Sequence, residues 1–319
     1  MIFDLIESQI IGRLYRILLK ILVTGGAGFI GRYLVDFLLP HNEVTIYDDL
    51  TNSSKEDIES LIEKGAKFVN EDILDYQKLQ KSCIGFNLII HLAAKSDVVD
   101  SIIHPEITNE VNVTGTENIM KCCIENKIKK IIFASSAAVY ADSKIPITEN
   151  VKTNPLSPYG KSKLAAEQKI KKISIEFKVH AISLRMFNVY GKGQNYQYAG
   201  VISKFIKNIS EDRPIEINGD GKQTRDFVSI FDVVDAFECA IKNIEGKKGD
   251  VYNIGTGDSI SINELAKLIQ KITDKKTVIK YKKQNKDEIK DSVADVTLAK
   301  NELGFIAKQK LQDELINLL

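Results

Sequence analysis

Two tyrosines in the chain stand four residues ahead of a lysine, Tyr140 before Lys144 and Tyr159 before Lys163. A phenol beside an ammonium is a pair that can move a proton. A phenol ordinarily titrates near pH 10, so acting as a base at neutral pH asks for a depression of about 3 units, roughly 4 kcal/mol in favour of the phenolate. The neighbouring ammonium is one source of that depression, and on a helix the four-residue spacing puts both side chains on one face. Spacing alone does not choose between the pairs. In a chain with 11 tyrosines and 44 Lys plus Arg, about one such pair arises by chance. Context separates them. Tyr140 follows an apolar run within ASSAAVYADSK and has Pro146 two residues beyond its lysine, which argues against a helix there. Tyr159 follows Ser157-Pro158 and opens GKSKLAAEQKIKKI, a helix start followed by good helix formers. Tyr159 and Lys163 are therefore the catalytic candidates. Ser136, at the end of an apolar strand over 130–134, completes the group by hydrogen-bonding a reacting hydroxyl. The plain alternative is that Ser136 caps a turn and Tyr159 packs with its hydroxyl in water.

Such a group needs a frame, and KILVTGGAGFIG at 20–31 supplies its signature. Ile21, Leu22 and Val23 form the continuous apolar run of a strand buried on both faces, and 32–39 carries helical spacing until Pro40 stops it. The glycines between them read as G-x-G-x-x-G at Gly26, Gly28 and Gly31, or as G-x-x-G-x-x-G at Gly25, Gly28 and Gly31. Either reading gives a tight turn, a close approach to a pyrophosphate and a helix packed closely on its strand. The anion then sits at a helix N-terminus. A second strand, 43–47, ends in Asp48-Asp49, about twenty residues beyond the glycines, where a carboxylate accepts hydrogen bonds from ribose hydroxyls and repels a 2′-phosphate. The expectation is NAD rather than NADP, with Asp48 the first choice for that contact and Asp49 the alternative. A bound nicotinamide cation is a second source for lowering the Tyr159 phenol.

The strand and helix signals alternate through the first half, with strands at 67–69, 87–91 and 130–134 and helical stretches at 55–64 and 111–125. That is the pattern of an α/β protein with a Rossmann-like, doubly wound parallel sheet. Residues 181–184 and 251–254 read as further strands, the last returning to the sheet. Between them, 191–200 has the composition of a loop, 214–220 that of a short strand and turn, and 261–272 that of an amphipathic helix opened by a serine. The expected organisation is an N-terminal extension over 1–19, a nucleotide-binding domain over 20–184 that regains segments near 226–255, and a smaller C-terminal α/β substrate lobe over 185–319.

Composition closes off other classes. A net charge of +1 with 27% charged residues gives no electrostatic case for nucleic acid. Cys83, Cys122, Cys123 and Cys239 lack C-x-x-C spacing and the 4 histidines are scattered, so neither a disulfide framework nor a metal site is expected, and a reducing cytoplasm fits. Asp4, Glu7, Arg13, Arg16 and Lys20 interrupt the apolar N-terminal patches, which read as an amphipathic add-on helix rather than a membrane span.

From residue 20 onward the chain resembles the extended short-chain dehydrogenases/reductases, and within them the NAD-dependent sugar-nucleotide epimerase/dehydratase family. The resemblance rests on TGGAGFIG, the strand-end Asp48, Asp72-Ile73, HLAA at 91–94, Asn112 in VNVTGT, SSAAVY, YGKSK, FNVYG and GDGKQTRDFVSIFDVVDA. It implies that Asp72 and Ile73 border the adenine and that Ala93 and Lys95 lie on the pyrophosphate and nicotinamide side. Phe29, Ile30, Ala94 and Asn112 are cofactor-facing positions on the same grounds. It implies further that Asn188 and Arg225 hold the diphosphate of a nucleotide sugar, with Lys95, Ser136 and Tyr159 on the sugar side, and that the protein is a homodimer paired through helices at 111–125 and 159–173.

Within that family, elimination of water across C5 and C6 uses an acid and a base after the strand-end hydroxyl, typically Thr-Asp-Glu. This chain has Ser136-Ala137-Ala138, and neither alanine can move a proton. The glutamate of the related decarboxylases is absent too. What remains is 4-epimerisation of a UDP-hexose: the 4-hydroxyl gives up its proton and C4 its hydride, and the hydride returns to the other face of C4. One segment departs from the family. Asn285-Lys286-Asp287-Glu288 stands where Arg-x-Gly-Asp is usual, which removes a second diphosphate arginine, leaves Lys283 or Lys286 as a point-charge replacement and gives Glu288 the uridine ribose. Ser292, three residues before the Asp of the Ala-Asp motif, is small where a bulky residue would exclude an N-acetyl group, so UDP-N-acetylglucosamine and UDP-N-acetylgalactosamine are expected substrates beside UDP-glucose and UDP-galactose. The competing readings are another NAD-dependent sugar-nucleotide oxidoreductase and a non-catalytic NAD-sensing protein on the same fold.

Overall fold

Strand β1 (Lys20–Thr24) runs through the middle of the sheet, with Ile21, Leu22 and Val23 fully buried. The computed structural model describes residues 18–141, 145–194, 200–283 and 289–319. Strands β2 (Glu43–Asp48), β3 (Lys67–Asn70), β4 (Leu88–His91), β5 (Lys130–Ser136) and β6 (His180–Met186) follow. After them come the short β7 (Asn188–Tyr190), β8 (Ile215–Asn218), β9 (Thr224–Arg225) and β10 (Phe227–Ser229), then β11 (Lys248–Ile254), β12 (Ile260–Ser261), β13 (Ile279–Lys282) and β14 (Asp291–Ser292). Seven of them form one all-parallel sheet in the order β11-β6-β5-β4-β1-β2-β3. The chain winds outward from β1 in both directions, which makes this the doubly wound Rossmann-like fold and places a crevice beyond the carboxyl ends of β1 and β4.

Both faces of the sheet are covered, as an all-parallel sheet requires. Alternate side chains of β1 go to opposite faces: Ile21 and Val23 pack with Leu34 and Val35 of α1 (Phe29–Leu38), Leu22 with the other cluster. Helix α2 (Glu59–Glu63) adds Leu61 to the first face, and after it come α3 (Tyr76–Ser82), α4 (Val98–Ile103), α5 (Pro105–Asn109), α6 (Gly115–Glu125) and α7 (Pro158–Phe177), of which α3, α6 and α7 contribute Leu79, Ile119, Met120 and Ile170 to the core of the second face. Each fully buried aliphatic side chain contributes about 1.5–3 kcal/mol relative to exposure. A separate cluster around Phe205, Ile215 and Leu265 is built from α8 (Val201–Ser210), β8 and α10 (Ile262–Thr273), while α9 (Ile230–Lys242) returns to the first face of the large sheet.

Two expected helices differ in detail. The stretch over 55–64 is a 3₁₀ turn at Glu56–Ile58 followed by the short α2. The stretch over 111–125 begins as a π turn at Glu110–Thr114 before α6. Helix α7 starts where the sequence indicates: Ser157 accepts a hydrogen bond from the Gly160 N–H at 3.1 Å and Pro158 occupies the first turn.

Candidate active site

The loop between β1 and α1 is glycine-rich because its backbone has no room for side chains. Gly25 adopts a left-handed φ of +71°, and a Cβ there would lie 2.5 Å from the Ala93 nitrogen. A Cβ on Gly31 would lie 2.4 Å from the Gly25 carbonyl oxygen, so Gly31 lets α1 pack on the turn. Gly28 is the N-cap of α1, with no side-chain cap and no acidic residue in the first turn, which leaves the first N–H groups for an anion. A Cβ on Gly26 would lie 3.0 Å from the Val23 carbonyl oxygen and one on Gly28 3.3 Å from that of Gly25, so the loop is tightest at Gly25 and Gly31.

This loop opens onto a cavity of about 440 Å³ that runs along the strand ends. Its wall includes Phe29, Ile30, Asp48, Asp49, Asp72 and Ile73, and, from the turn after β4, Ala93, Ala94 and Lys95. Asp48 accepts the Ala27 N–H at 3.0 Å and the Leu50 N–H at 2.9 Å. Burial pushes its carboxyl above the usual range, with those two hydrogen bonds pulling back. Asp49 is exposed and occupied with Thr51, accepting from its N–H at 2.9 Å and its hydroxyl at 2.6 Å. Both carboxylates face the cavity, Asp48 as part of the loop's own scaffold.

At the β5 end of the same cavity stand Ser136, Tyr159 and Lys163. Ser136 caps the short 3₁₀ turn that follows β5, accepting the Ala138 N–H at 3.1 Å. The Lys163 ammonium donates to the Ala134 carbonyl at 2.8 Å and lies over the rings of Phe133 and Tyr159, 4.8 and 5.9 Å from their centroids. The electrostatics differ from the expectation. Burial dominates both groups: it lowers Lys163 to about 7, against which Glu167 pulls upward, and it raises the Tyr159 phenol above its ordinary value, with Ser136 pulling downward. In the protein alone the lysine is not the strong cation that would lower the phenol, because it is 3% exposed and, among the described residues, its ammonium is hydrogen-bonded to the Ala134 carbonyl and to no carboxylate.

The rival tyrosine is elsewhere in function. Tyr140 is buried, donates to Asn253 Oδ1 at 2.8 Å and accepts from Arg185 Nη1 at 2.8 Å; its spacing partner Lys144 lies outside the described residues. Asn112 is also not on the cavity wall. It is buried and clamps the backbone of Lys95, accepting its N–H at 2.7 Å and donating to its carbonyl at 2.9 Å, with a third bond to the Ser162 hydroxyl at 2.9 Å. Its reach toward a cofactor is therefore indirect, through Lys95.

A second cavity, about 520 Å³, shares Val189 and Gln194 with the first and is lined by Asn188 and Arg225. Arg225 Nη1 donates to the Thr224 carbonyl at 2.8 Å and the Lys290 carbonyl at 3.3 Å, which aims the guanidinium. Lys204 and Arg213 also line this cavity; neither has a sequence motif to announce it. Gln194 follows the short strand β7, and the strand-end rule alone would have drawn attention to it. Ser292 pairs in register with Arg225, β14 lying beside β9 in the same small sheet, but is buried and absent from both cavity walls. Lys283 is exposed and lines neither cavity, and Lys286 and Glu288 lie outside the described residues. Among the described residues no group of three or more His, Cys, Asp or Glu could hold a metal ion, and no helix is long and apolar enough to cross a membrane.

A parallel sheet with a glycine cradle at its switch point and a Ser-Tyr-Lys group at a neighbouring strand end defines a dinucleotide-dependent enzyme of the short-chain dehydrogenase/reductase type. The chain belongs to the NAD dependent epimerase/dehydratase family, whose model matches residues 21–255. It is 42% identical over 257 residues to a putative UDP-glucose 4-epimerase of Methanocaldococcus jannaschii, covering 78% of this chain and 81% of that one. It superposes on a UDP-N-acetylglucosamine 4-epimerase from Methanobrevibacter ruminantium, in complex with UDP-N-acetylmuramic acid, with a TM-score of 0.89 and 31% identity over 94% of this chain and 97% of that one. A UDP-glucuronic acid 4-epimerase from Bacillus cereus, in complex with UDP-glucuronic acid and NAD, gives a TM-score of 0.86 at 32% identity over 93% and 96%. NAD is the cofactor of this family, and the cradle around Gly25, Gly28 and Gly31, which a Cβ would fill, fits a pyrophosphate.

Proposed function

We propose that the protein is a UDP-hexose 4-epimerase. The observation that carries this reading is the distribution of proton-moving groups around the first cavity. Its wall carboxylates, Asp48, Asp49, Glu71 and Asp72, all lie at or just after the ends of β2 and β3, on the far side of the glycine loop from β5. At the β5 end the strand-end serine is followed by Ala137 and Ala138, so the acid and base that a 4,6-dehydration demands are missing there, while Ser136, Tyr159 and Lys163 suffice for reversible oxidation at one carbon.

In this reading Gly25, Gly28 and Gly31 admit the pyrophosphate of NAD, Asp48 takes the adenosine ribose, Asp72 and Ile73 flank the adenine, and Lys163 holds the nicotinamide ribose. When bound, NAD supplies the hydride acceptor and donor at the sugar C4 and a positive charge beside the phenol. Tyr159 takes the proton of the 4-hydroxyl and later returns it, and Ser136 hydrogen-bonds the same oxygen. Arg225 and Asn188 grip the diphosphate as the 4-keto sugar turns over. The cavity that carries them also offers Lys204 and Arg213 as cations where the sequence lacks the second diphosphate arginine. Ser292, buried beside Arg225 on the β9–β14 ladder and off both cavity walls, carries no argument for the N-acetylhexosamines, so the substrate proposed is the UDP-hexose itself.

The second copy of a homodimer belongs on the outer face of α4 and α5, where Val98, Val99, Ile102, Ile103 and Ile107 are 43–66% exposed. This face lies beside α7, one of the two helices expected to pair, against which α4 and α5 both pack. The test of the function is conversion of UDP-glucose to UDP-galactose, followed by NMR without added cofactor and without stoichiometric NADH. Turnover of UDP-glucuronate alone would move the substrate, and net NADH production would replace the epimerase reading with an oxidoreductase.

A further inference from the structure

The most deeply buried ion pair among the described residues is Glu167–Arg185, with side chains 5% and 6% exposed. Such a pair is rarely retained for stability alone, since well-packed apolar residues of the same volume do as well. Its contacts suggest another use. Glu167 lies on α7 one turn after Lys163, and its Oε1 accepts from the hydroxyl of Ser135, the residue before Ser136. Arg185 on β6 donates to the carboxylate through Nε at 2.9 Å and Nη2 at 2.6 Å. Through Nη1 it also donates to the Tyr140 hydroxyl at 2.8 Å, with its guanidinium 4.9 Å from the centre of that ring. Ser135 and Tyr140 bracket the turn Ser136–Val139, so the two ends of the segment that presents the catalytic serine are tied to one pair. The carboxylate half of that pair sits on the helix that presents Tyr159 and Lys163.

We propose that Glu167 and Arg185 are positioning residues that clamp the Ser136 turn to α7, fixing the distance between Ser136 and the Tyr159–Lys163 pair. The inference rests on the epimerase reading, which gives the clamp its purpose: a sugar that must turn over is held loosely, so the groups that act on it need a fixed spacing. A displacement near 1 Å costs on the order of a hundredfold in rate. Tyr140, the tyrosine with the competing lysine spacing, serves as the far anchor of this clamp.

The test uses the NAD-loaded protein and four variants, with kcat expressed per bound NAD, KM for UDP-glucose and Tm measured on each. Glu167→Met/Arg185→Met replaces the pair by apolar side chains. It is expected to fold with a Tm near that of the parent, to retain NAD, and to lose roughly tenfold or more in kcat with KM within about twofold, because the sugar nucleotide is gripped elsewhere. Ser135→Ala and Tyr140→Phe each cut one tether and leave the ion pair, and should each lower kcat about threefold with little change in KM or Tm. A folded, NAD-loaded double variant with parental kcat overturns the proposal. If the double variant does not fold, parental kcat in both single-tether variants overturns it. Tyr159→Phe separates the two levels: if it is inactive while the clamp variants are unaffected, the clamp alone fails, and if it is fully active, the catalytic reading fails.

Discussion

Lys163 is a cation in a place that disfavours cations, and its replacement by methionine should stabilise the NAD-free protein at neutral pH. Burial lowers its pKa from 10.5 to about 7. Between those values the folded chain binds fewer protons than the unfolded one, so the lysine favours unfolding. The penalty is fully present below about pH 7 and fades as the pH rises toward 10.5. At 1.36 kcal/mol per unit the shift corresponds to about 5 kcal/mol at its fullest. The hydrogen bond from Nζ to the Ala134 carbonyl, at 2.8 Å, returns about 1 kcal/mol of that to the lysine. Lys163→Met should therefore raise the unfolding free energy at pH 7 by roughly 2–4 kcal/mol, and the gain should shrink by about 3 kcal/mol at pH 9.5. The assay is urea denaturation of NAD-stripped parent and variant at both pH values, comparing only the difference between the two proteins so that other titrations cancel. A variant less stable than the parent at pH 7, or a difference that does not change between pH 7 and 9.5, refutes the reasoning. The same variant should lose activity, the expected exchange of stability for function at a site that keeps a buried charge.

Tyr159→Phe should keep the fold and NAD binding and lower turnover by at least about a hundredfold, whereas Tyr140→Phe costs far less; equal losses in steady-state kinetics would undo the choice between them. Asp48→Ala should weaken NAD and narrow its advantage over NADP in calorimetry, since in the proposed reading the carboxylate meets the ribose as well as the glycine loop, while Asp49→Ala, whose carboxylate is engaged by Thr51, should leave the preference intact. Gly31→Ala would force a Cβ to 2.4 Å from one backbone oxygen and 2.6 Å from the Gly26 Cα, at a cost of about 1–3 kcal/mol in thermal unfolding and with loss of NAD retention. Light scattering at micromolar concentration should give a dimer, and Ile102→Asp with Ile103→Asp should give a monomer; a monomeric parent removes the second copy from α4 and α5.

The sheet was legible because its strands are apolar on both faces and its turns carry glycine and aspartate. The start of α7 was readable too, since Pro158 stands just ahead of Tyr159 in the first turn of that helix. The smaller elements were not. Strands β9, β12 and β14 hold two residues each, too few for a period to show, and their pairing sets Ser292 beside Arg225, buried and off the cavity walls. The π turn at Glu110–Thr114 has no sequence signature either, yet it is the segment that carries Asn112. Lys204 and Arg213 sit among many other cations in the sequence, and only the fold brings them to the cavity that Asn188 and Arg225 line.

What the sequence could least convey is the state of Lys163, because charge counts do not reveal burial. Helix α7 is held on both sides of Lys163. One residue before it, Ser162 meets Asn112, which also fixes both backbone groups of Lys95. One turn after it, Glu167 meets Ser135 and Arg185. Lys163 itself is anchored to the strand by the Ala134 carbonyl. These contacts leave the ammonium little freedom to swing into water, and the same confinement that sets its position depresses its pKa. An exposed lysine at the same spacing would be a better cation and a poorer guide. In the reading proposed here, the charge that finally lowers the Tyr159 phenol arrives with the cofactor, so the base is armed only in the complex that can use it.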